Sequence, residues 1–389
     1  MRAAQAGETL LRWTCQPGLE DLSVAEARAL LVQAGLPPED SGEKAFGLDG
    51  HAALLTTEPD RALAVLADMR SAYHLIRHIR RRSLREAAAT PEADPGGVSA
   101  EDVAELVRGT PVPPLESGER SFRVSCNRSG SHAFHSPDIE RAVGSIIVEQ
   151  WNPPVDLEHY QVNLRIDIVG DSLLLGLQET RRPLDRRYPW AYRPRVTLRT
   201  VVAYAMLTIA RRDLGETEEE AALPGPEPLT ILDPFCGSGT IAVEAASLLP
   251  EATVIAADRD EEAVEGTRAN AAATGREGRI RVLQADARDL DEHYPPASVS
   301  AIVTNPPFGI RLSRETDFRR LYGRFLSTAQ VILRPGGIIV ILVGKRRGLF
   351  NKLLRELGLY DLLEVRIIEI GGVYPGIFVL RTRGNGSEL

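Results

Sequence analysis

The chain has 389 residues, which is enough for two or three domains with cores of their own. Its hydrophobic content of 43% and charged content of 26% are ordinary for a soluble globular protein. The net charge of −8 argues against a protein that coats polyanions indiscriminately, although a local basic patch could still bind nucleic acid.

Apolar runs and cysteines limit the class of protein further. The longest aliphatic run, 338–343, is far too short to span a membrane, and no signal-type apolar segment precedes Glu8. We therefore expect a cytoplasmic protein without a membrane partner. The three cysteines, Cys15, Cys126 and Cys236, show no short pairing, which predicts neither a disulfide framework nor a metal site.

The first segment alternates short apolar stretches with helical ones. Residues 10–15 are predicted to form a strand, 19–34 an amphipathic helix and 61–69 a second helix. This pattern predicts a small mixed α/β domain over residues 1–85. A basic run near its end is either a phosphate contact or a solvated helix face. The run consists of Arg77, Arg80, Arg81, Arg82 and Arg85.

The second segment begins with a loop and a short helix. A strand at 121–125 then leads into a polar loop that contains Arg128, and a helix begins with Ser136 as its N-cap. Two strands with alternating apolar residues follow, at 162–168 and 171–178. Their alternation predicts a half-buried sheet.

A basic segment, residues 181–199, separates the two halves of the chain. It contains seven arginines but only one carboxylate, Asp185, and aromatic residues are interleaved with the arginines. These residues are Arg181, Arg182, Arg186, Arg187, Tyr188, Trp190, Tyr192, Arg193, Arg195 and Arg199. Charge for phosphates and rings for stacking are typical of a nucleic-acid track. A linker whose aromatic rings pack on both domains explains the pattern equally well.

Residues 229–240 have the pattern of a strand, a glycine turn and a helix. The apolar run ends at Asp233, Gly237 and Gly239 allow a tight backbone path, and Thr240 opens an apolar helix. In doubly wound sheets, such a turn presents backbone N–H groups to a nucleotide. On its own the pattern is common and is weak evidence for a cofactor.

Each of the next three predicted strands is followed by polar residues. The strands are 253–257, 280–284 and 299–304. Asp258 follows the first, about 20 residues after the glycines, where a carboxylate reaches ribose hydroxyls in this kind of sheet. Asp286 follows the second, and the third runs into Asn305-Pro306-Pro307-Phe308. A single acid could be a helix cap, but successive polar strand ends line the crevice where such sheets bind ligands.

The remaining pattern completes an α/β sheet. Amphipathic helices are predicted at 198–209, 318–332 and 349–357, an apolar strand at 338–343, and a final strand pair at 362–370 and 377–381. The predicted sheet therefore has seven strands, the last two of which form a hairpin.

In the order of these motifs, the chain resembles class I S-adenosylmethionine-dependent methyltransferases. The resemblance extends over residues 195–383, and the Asn-Pro-Pro-Phe motif is similar to that of enzymes acting on amino nitrogens. It implies an α/β fold with a Rossmann-like methyltransferase domain at 197–389 and S-adenosylmethionine as the cofactor.

The resemblance also implies where the cofactor binds. Asp233 and the glycines would approach its methionine part, Asp258 the ribose and Asp286 the adenine amino group, while the segment before the first strand closes over the methionine end. The predicted cofactor-binding residues are Asp233, Phe235, Gly237, Ser238, Gly239, Thr240, Asp258, Arg259, Asp286, Ala287, Thr197 and Leu198.

The N-terminal half resembles RNA-modifying enzymes that carry a THUMP domain, an RNA-binding module. The order strand, Arg-Ser-Gly loop, helix and paired strands carries this resemblance, and residues 15–22 resemble the ferredoxin-like domain that precedes THUMP. The implied domains are ferredoxin-like at 1–85, THUMP at 86–180, an arginine and aromatic linker at 181–196 and methyltransferase at 197–389. In such families this half holds the 3′ end of a tRNA.

Among the amino nitrogens that such enzymes methylate is the 2-amino nitrogen of guanine. It is a poor nucleophile because its lone pair is conjugated with the ring. A catalyst must therefore hold its N–H groups with acceptors. Asn305 offers a side-chain carbonyl, Pro306 and Pro307 stiffen the backbone, and Phe308 could stack on an extruded base. We predict that these four residues are catalytic and act by positioning.

The resemblance implies a tRNA guanine-N(2)-methyltransferase that acts in the acceptor stem, at position 6. Separately, we expect a monomer. Methylation of the adenine 6-amino group, or of guanosine in another structured RNA, stays open. So does an RNA-binding protein with a relict methyltransferase fold. The predicted RNA-binding residues are Arg128, Arg181, Arg182, Arg186, Arg187, Arg193 and Arg311, the last of which could instead pair with an acid.

Overall fold

The computed structural model describes most of the chain. The described residues are 2–87, 97–215, 229–307 and 315–383, without the side chains of 315–317. Residues 1–15 and 23–184 form one compact unit, and residues 16–22 and 185–389 form a second. None of the described helices is both long enough and apolar enough to cross a bilayer.

The first unit is built on a seven-stranded sheet in the order β2-β3-β1-β4-β7-β6-β5. Its strands are β1 (Thr9–Cys15), β2 (Asp40–Gly42), β3 (His51–Thr56), β4 (Ala72–Ser83), β5 (Phe122–Ser129), β6 (Val162–Val169) and β7 (Ser172–Gln178). Its helices are α1 (Glu20–Gln33), α2 (Pro59–Leu66), α3 (Ala100–Glu105) and α4 (Ser136–Trp151). Strand β4 pairs with β1 on one side and with β7 on the other, so the two predicted N-terminal segments share one sheet.

Alternating residues of β1 separate an apolar face from a polar one. Leu11 and Trp13 are buried in an apolar cluster, whereas Arg12 between them points to the opposite side of the strand. The Arg12 guanidinium lies 2.6 Å from the Asp167 carboxylate, and Arg165 lies 2.7 Å from the same carboxylate. Burial alone would raise the pKa of Asp167, but the two arginines lower it below its ordinary range. The sheet thus contains a buried ion cluster.

The structure corrects local details of this unit. Arg128 lies on β5 and not in a loop, because the strand continues to Ser129 in parallel pairing with β6. Arg77, Arg80, Arg81 and Arg82 lie on β4, and Arg85 lies on the single 3-10 turn Leu84–Glu86, so the run as a whole does not form a helix face. Helix α4 includes Ser136, and the preceding His135 is its N-cap.

The second unit has a seven-stranded sheet in the order β10-β9-β8-β11-β12-β14-β13. Its strands are β8 (Thr230–Asp233), β9 (Thr253–Asp258), β10 (Ile280–Gln284), β11 (Val299–Thr304), β12 (Leu333–Val343), β13 (Tyr360–Ile367) and β14 (Gly376–Thr382). Strands β8 to β12 run parallel, and β14 is antiparallel to both β12 and β13. The predicted α/β fold, with seven strands and a terminal hairpin, is confirmed.

Helices cover this sheet and bury its apolar strands. They are α5 (Thr200–Asp213), α6 (Thr240–Leu248), α7 (Glu261–Ala273), α8 (Leu290–His293), α9 (Glu315–Ile332) and α10 (Arg347–Leu357). The short helix α8 was not predicted. Strand β12 begins at Leu333, before the predicted start at 338, and its register shifts against β11.

Candidate active site

The predicted site residues meet at one edge of the second sheet. Asp233 pairs with Ala256 in the register of β8 and β9, and Gln284 pairs with Asp258 in that of β10 and β9. The carboxyl ends of parallel strands lie at the same edge of a sheet. The residues that end or follow β8, β9, β10 and β11 therefore share that edge, as the sequence predicted.

Asp258 holds in place the loop at 234–239, between β8 and α6, which we call the glycine loop. One carboxylate oxygen accepts the N–H of Gly237 at 3.1 Å, and the other accepts the N–H of Asp260 at 3.1 Å. Asp260 in turn caps α7 by accepting the N–H of Glu262 at 3.2 Å. The residue predicted to reach the ribose thus also orients the loop.

The glycine loop ends at the N-terminus of α6 in a conformation that needs glycine. Gly239 has φ +76° and is the N-cap of α6, and no side chain caps this end of the helix. A Cβ at Gly239 would lie 2.7 Å from Thr267 Cγ2. An uncapped helix N-terminus presents backbone N–H groups to a polar or anionic ligand.

Helix α7 supports the same loop from behind through two side chains. The Thr267 hydroxyl donates to the carbonyl of Gly237 at 3.0 Å, and the Asn270 amide donates to the carbonyl of Ser238 at 2.8 Å. Neither residue belongs to a motif that the sequence predicts for the site. Their spacing of three positions, which places both on one helix face, is the signal that could have found them.

Asp233 is buried and linked to the strand that leads into the catalytic motif. It accepts hydrogen bonds from Thr304 Oγ1 at 2.7 Å and from the N–H of Phe235 at 3.2 Å. Burial raises the pKa of Asp233 to about 7, even though both hydrogen bonds favour the ionised form. A cationic ligand group at this position would favour the ionised carboxylate.

Asp286 has a partner that the sequence analysis did not predict. Arg288 forms a forked hydrogen bond with it, at 2.9 Å from Nε and 2.6 Å from Nη2. This bond lowers the pKa of Asp286, so the carboxylate is ionised near neutral pH. Ala287 beside it is buried, and the carbonyl of the exposed Arg259 accepts a hydrogen bond from Gln284 at 3.0 Å.

The amide oxygen of Asn305 is buried and has no hydrogen-bond donor among the described residues. Leaving such an acceptor without a donor costs free energy, unless a ligand or water supplies one. Pro306 is buried and Pro307 is exposed. Phe308 and Arg311 lie outside the described residues. No described residue donates to this oxygen, so its role as the acceptor for a substrate N–H group stays a prediction.

The other predicted cofactor residues surround this edge. Phe235 packs edge to face on Phe325, with the ring centroids 5.5 Å apart. Ser238 and Thr240 are buried, and their hydroxyls lie 3.2 Å apart. Thr197 and Leu198 are half-buried and directly precede α5. Which of these atoms contact a cofactor stays a prediction.

The arginine segment packs partly on the second unit. Arg187 lies 3.7 Å from the fully buried Glu244, and Arg276 lies over the ring of Tyr188. Arg182, Arg186 and Arg193 are exposed. Tyr188 therefore packs within the second unit, whereas these three arginines are accessible; the packing of the rings on both domains stays a hypothesis.

The remaining predicted RNA-binding arginines lie in the first unit. Arg128 donates to the carbonyl of Gly130 at 3.2 Å and lies 3.2 Å from His132. Arg181 is exposed and donates to the carbonyl of Tyr160 at 3.4 Å. Neither contact consumes all the donors of a guanidinium group, so an RNA phosphate contact stays a prediction for both.

These residues fit a cofactor with ribose hydroxyls and a cationic end. Asp258 offers a carboxylate for hydroxyls, Asp233 offers one for positive charge, and the uncapped end of α6 offers N–H groups. Within the described ranges, no cluster of three or more His, Cys, Asp or Glu side chains is arranged to hold a metal ion.

Comparisons with known proteins match both units. Two family models match, the RMKL-like methyltransferase domain over residues 191–373 and the THUMP domain over residues 98–178. The chain is 37% identical over 382 residues to the tRNA (guanine(6)-N2)-methyltransferase of Thermus thermophilus, covering 95% of this chain and 98% of that protein. It is 26% identical over 320 residues to tRNA (guanine(6)-N(2))-methyltransferase THUMP3 of Mus musculus, covering 79% of this chain and 60% of that protein. The crystal structure of TrmN from Thermus thermophilus matches with a TM-score of 0.70 and 36% identity, over 96% of this chain and 100% of that one.

Proposed function

This chain belongs to the THUMP-domain family of S-adenosylmethionine-dependent tRNA (guanine-N2)-methyltransferases, and on that premise we propose that it methylates the 2-amino group of guanosine 6 in the acceptor stem of tRNA. The nucleotide position is taken from the relatives' names. The observation that supports the chemistry is Asn305, whose buried amide oxygen has no donor among the described residues.

Bound S-adenosylmethionine supplies a methyl group made electrophilic by its sulfonium. Asp233, Asp258 and the glycine loop would hold this cofactor at the carboxyl edge of the sheet. Asn305 Oδ1 would accept one N–H of the guanine amino group, which leaves the nitrogen free to pyramidalise. An amide is not a base, so the proton leaves late, to water. The protein's contribution is thus orientation and hydrogen bonding.

Thr304 and the two prolines keep this acceptor in position. Thr304 is bonded to Asp233, and the Pro306 ring restricts the backbone of Asn305 before it. A backbone carbonyl in this stiff segment would accept the second N–H of the amino group. The substrate amino group would then meet two fixed acceptors beside the cofactor site.

The THUMP domain, residues 98–178, supports tRNA as the substrate, because this module binds RNA. The exposed arginines Arg186 and Arg193 would supply charge for phosphate contacts beside the methyltransferase domain, and the exposed Arg182 would do so in the first unit. We propose that both bind the acceptor end of the tRNA, which would bring position 6 to Asn305.

The test is methyl transfer from radiolabelled S-adenosylmethionine to an unmodified tRNA transcript with guanosine at position 6. A matched transcript carries adenosine there, with a compensating partner base. Asn305→Ala is compared with Asn351→Ala, an asparagine of α10 in the same unit. We expect N(2)-methylguanosine with the first transcript alone, a loss of about 100-fold or more in Asn305→Ala, as for other positioned transition-state donors and acceptors, and normal activity in Asn351→Ala.

Each other outcome contradicts part of the proposal. Label in methyladenosine would favour the adenine 6-amino group, and label at a guanosine other than position 6 would refute the position. Cofactor binding without label in tRNA would point to another structured RNA. Failure to bind S-adenosylmethionine would indicate a relict fold.

A further inference from the structure

The two ends of residues 185–200, which we call the strap, are hydrogen-bonded to each other, and the middle of the strap is anchored to α7. At the ends, Thr200 Oγ1 donates to the carbonyl of Asp185 at 2.8 Å. In the middle, the backbone at 191–192 is hydrogen-bonded to the side chain of Asn270. The strap also contains Thr197 and Leu198, the residues expected at the methionine end of the cofactor. Its position therefore bears on the cofactor site.

Asn270 lies in α7 and is fully buried. Its amide oxygen accepts the N–H groups of Ala191 at 2.9 Å and Tyr192 at 2.8 Å. Its amide nitrogen donates to the carbonyls of Tyr192 at 2.8 Å and Ser238 at 2.8 Å. An asparagine side chain has two acceptor sites and two donors, so every one is used. One side chain therefore joins the strap to the glycine loop.

The ring of Tyr192 lies against a glycine of the same helix. A Cβ at Gly266 would lie 2.2 Å from Cδ1 of that ring. Glycine in a helix interior costs stability relative to alanine, so its presence there indicates a need for space. The Tyr192 hydroxyl also donates to Glu262 at 3.3 Å. The strap thus has a second contact with α7, independent of the Asn270 hydrogen bonds.

The bonds from α7 also orient the glycine loop. Thr267 holds the carbonyl of Gly237, and Asn270 holds that of Ser238. In a trans peptide the C=O and the following N–H point in opposite directions. Because the Gly237 carbonyl points to α7, the N–H of Ser238 points away from it. Without Asn270, the next carbonyl of the loop would lose its donor and the loop could rotate.

We propose that Asn270 is a positioning residue for the cofactor, which sets cofactor affinity by fixing the strap and the glycine loop against each other. This inference rests on the proposed function only in its choice of S-adenosylmethionine as the ligand. Asn270 does not itself touch the reacting atoms. It acts through Ser238 on one side and through the strap on the other.

The test measures binding of S-adenosylhomocysteine to the full chain by isothermal titration calorimetry. For Asn270→Ala we expect the Kd to rise about tenfold or more, equivalent to about 1.4 kcal/mol or more. For Gly266→Ala, which moves the Tyr192 ring but keeps Asn270, we expect a smaller rise in the Kd. Thr274→Ala is the matched control, because that hydroxyl, at the C-cap of α7, donates to the carbonyls of Asn270 at 2.8 Å and Ala271 at 3.1 Å. Its Kd should stay within about twofold, since it contacts neither strap nor loop.

A second measurement separates positioning from general destabilisation. Steady-state kinetics of Asn270→Ala should show a raised KM for the cofactor and an unchanged KM for tRNA. An Asn270→Ala Kd equal to that of Thr274→Ala would overturn the proposal. If Asn270→Ala does not fold, Asn270→Asp takes its place, because it keeps the acceptor oxygen and removes both donors, and an unchanged Kd there would overturn the proposal equally. Failure of the unsubstituted protein to bind S-adenosylhomocysteine would instead refute the cofactor assignment in the proposed function.

Discussion

Thr304 donates a 2.7 Å hydrogen bond to Asp233 and so joins the end of β11 to the end of β8. Both side chains are buried, and Asn305 follows Thr304 directly. The acid of the cofactor motif and the amide of the catalytic motif are thus separated by one hydrogen bond and one peptide. A change in the charge of Asp233 is therefore expected to affect Asn305 as well.

We predict that Asp233 makes the stability of the methyltransferase domain depend on pH. Burial raises its native pKa to about 7 from 3.8, so the native carboxyl keeps a proton that the unfolded one has lost. The stability that this retained proton contributes to the native state is complete below pH 4 and is lost as the pH rises to 7. The free energy of unfolding of the unsubstituted protein, relative to Asp233→Asn, should fall by up to about 1.4 kcal/mol per pH unit in that window.

The measurement is urea denaturation of both proteins at several pH values between 4 and 8. The difference between them removes the contributions of other titrating groups. Asp260→Asn is a suitable control, because Asp260 is exposed and its side chain caps α7 in the same unit. A difference between wild type and Asp233→Asn that does not change with pH would contradict the raised pKa.

The two glycines of the loop should respond differently to alanine. Both have positive φ, +53° at Gly237 and +76° at Gly239, so each substitution costs about 1–2 kcal/mol of backbone strain. At Gly237 a Cβ would meet no atom within 4 Å, whereas at Gly239 it would lie 2.7 Å from Thr267 Cγ2. Overpacking adds about 1–3 kcal/mol at Gly239. In thermal unfolding, the melting temperature of Gly239→Ala should therefore be lower than that of Gly237→Ala, and equal melting temperatures would contradict this.

Much of the methyltransferase domain could be predicted because its signals are local. An apolar run, a polar residue at its end and a glycine or proline after it are all adjacent in sequence. The seven-stranded sheet, the terminal hairpin and the family assignment are confirmed. The roles of the individual site residues stay predictions.

The contacts that hold the site together could not be predicted because they join distant residues. Asn270 reaches residues 78 and 32 positions away, and nothing in a helix sequence names such partners. Arg288 lies two residues from Asp286, but its side-chain direction depends on a turn that the sequence leaves open. The sequence predicts that the strand ends at 125, but β5 continues to Ser129, because parallel pairing with β6 overrides the turn preference of Asn127 and Ser129.

In the first unit, we predict a strong dependence of stability on the buried acid Asp167. Its removal in Asp167→Leu leaves Arg12 and Arg165 without their shared counter-ion, and Arg12 is fully buried. An uncompensated buried charge costs about 3–5 kcal/mol. Arg12→Met should cost less, because Arg165 still pairs with Asp167. Denaturation monitored by tryptophan fluorescence, with the buried Trp13 as a reporter, measures both.

The double variant Arg12→Met/Asp167→Leu checks the physical cause. It removes the uncompensated charge at Arg12, so it should recover part of the free energy of unfolding that Asp167→Leu loses. Additive losses in the double variant would show that packing, and not charge, determines the effect.

Neighbouring arginines of the strap should separate RNA binding from structure. Arg186 is exposed, whereas Arg187 lies 3.7 Å from the buried Glu244. If Arg186 contacts a phosphate, Arg186→Ala should weaken tRNA binding and reduce the slope of log K against log salt by about 1. Arg187→Ala should instead lower the melting temperature, because it leaves Glu244 buried without this cation, and should keep the salt slope. Filter binding at several salt concentrations and thermal unfolding measure the two effects, and an unchanged slope in Arg186→Ala would remove that residue from the RNA-binding surface.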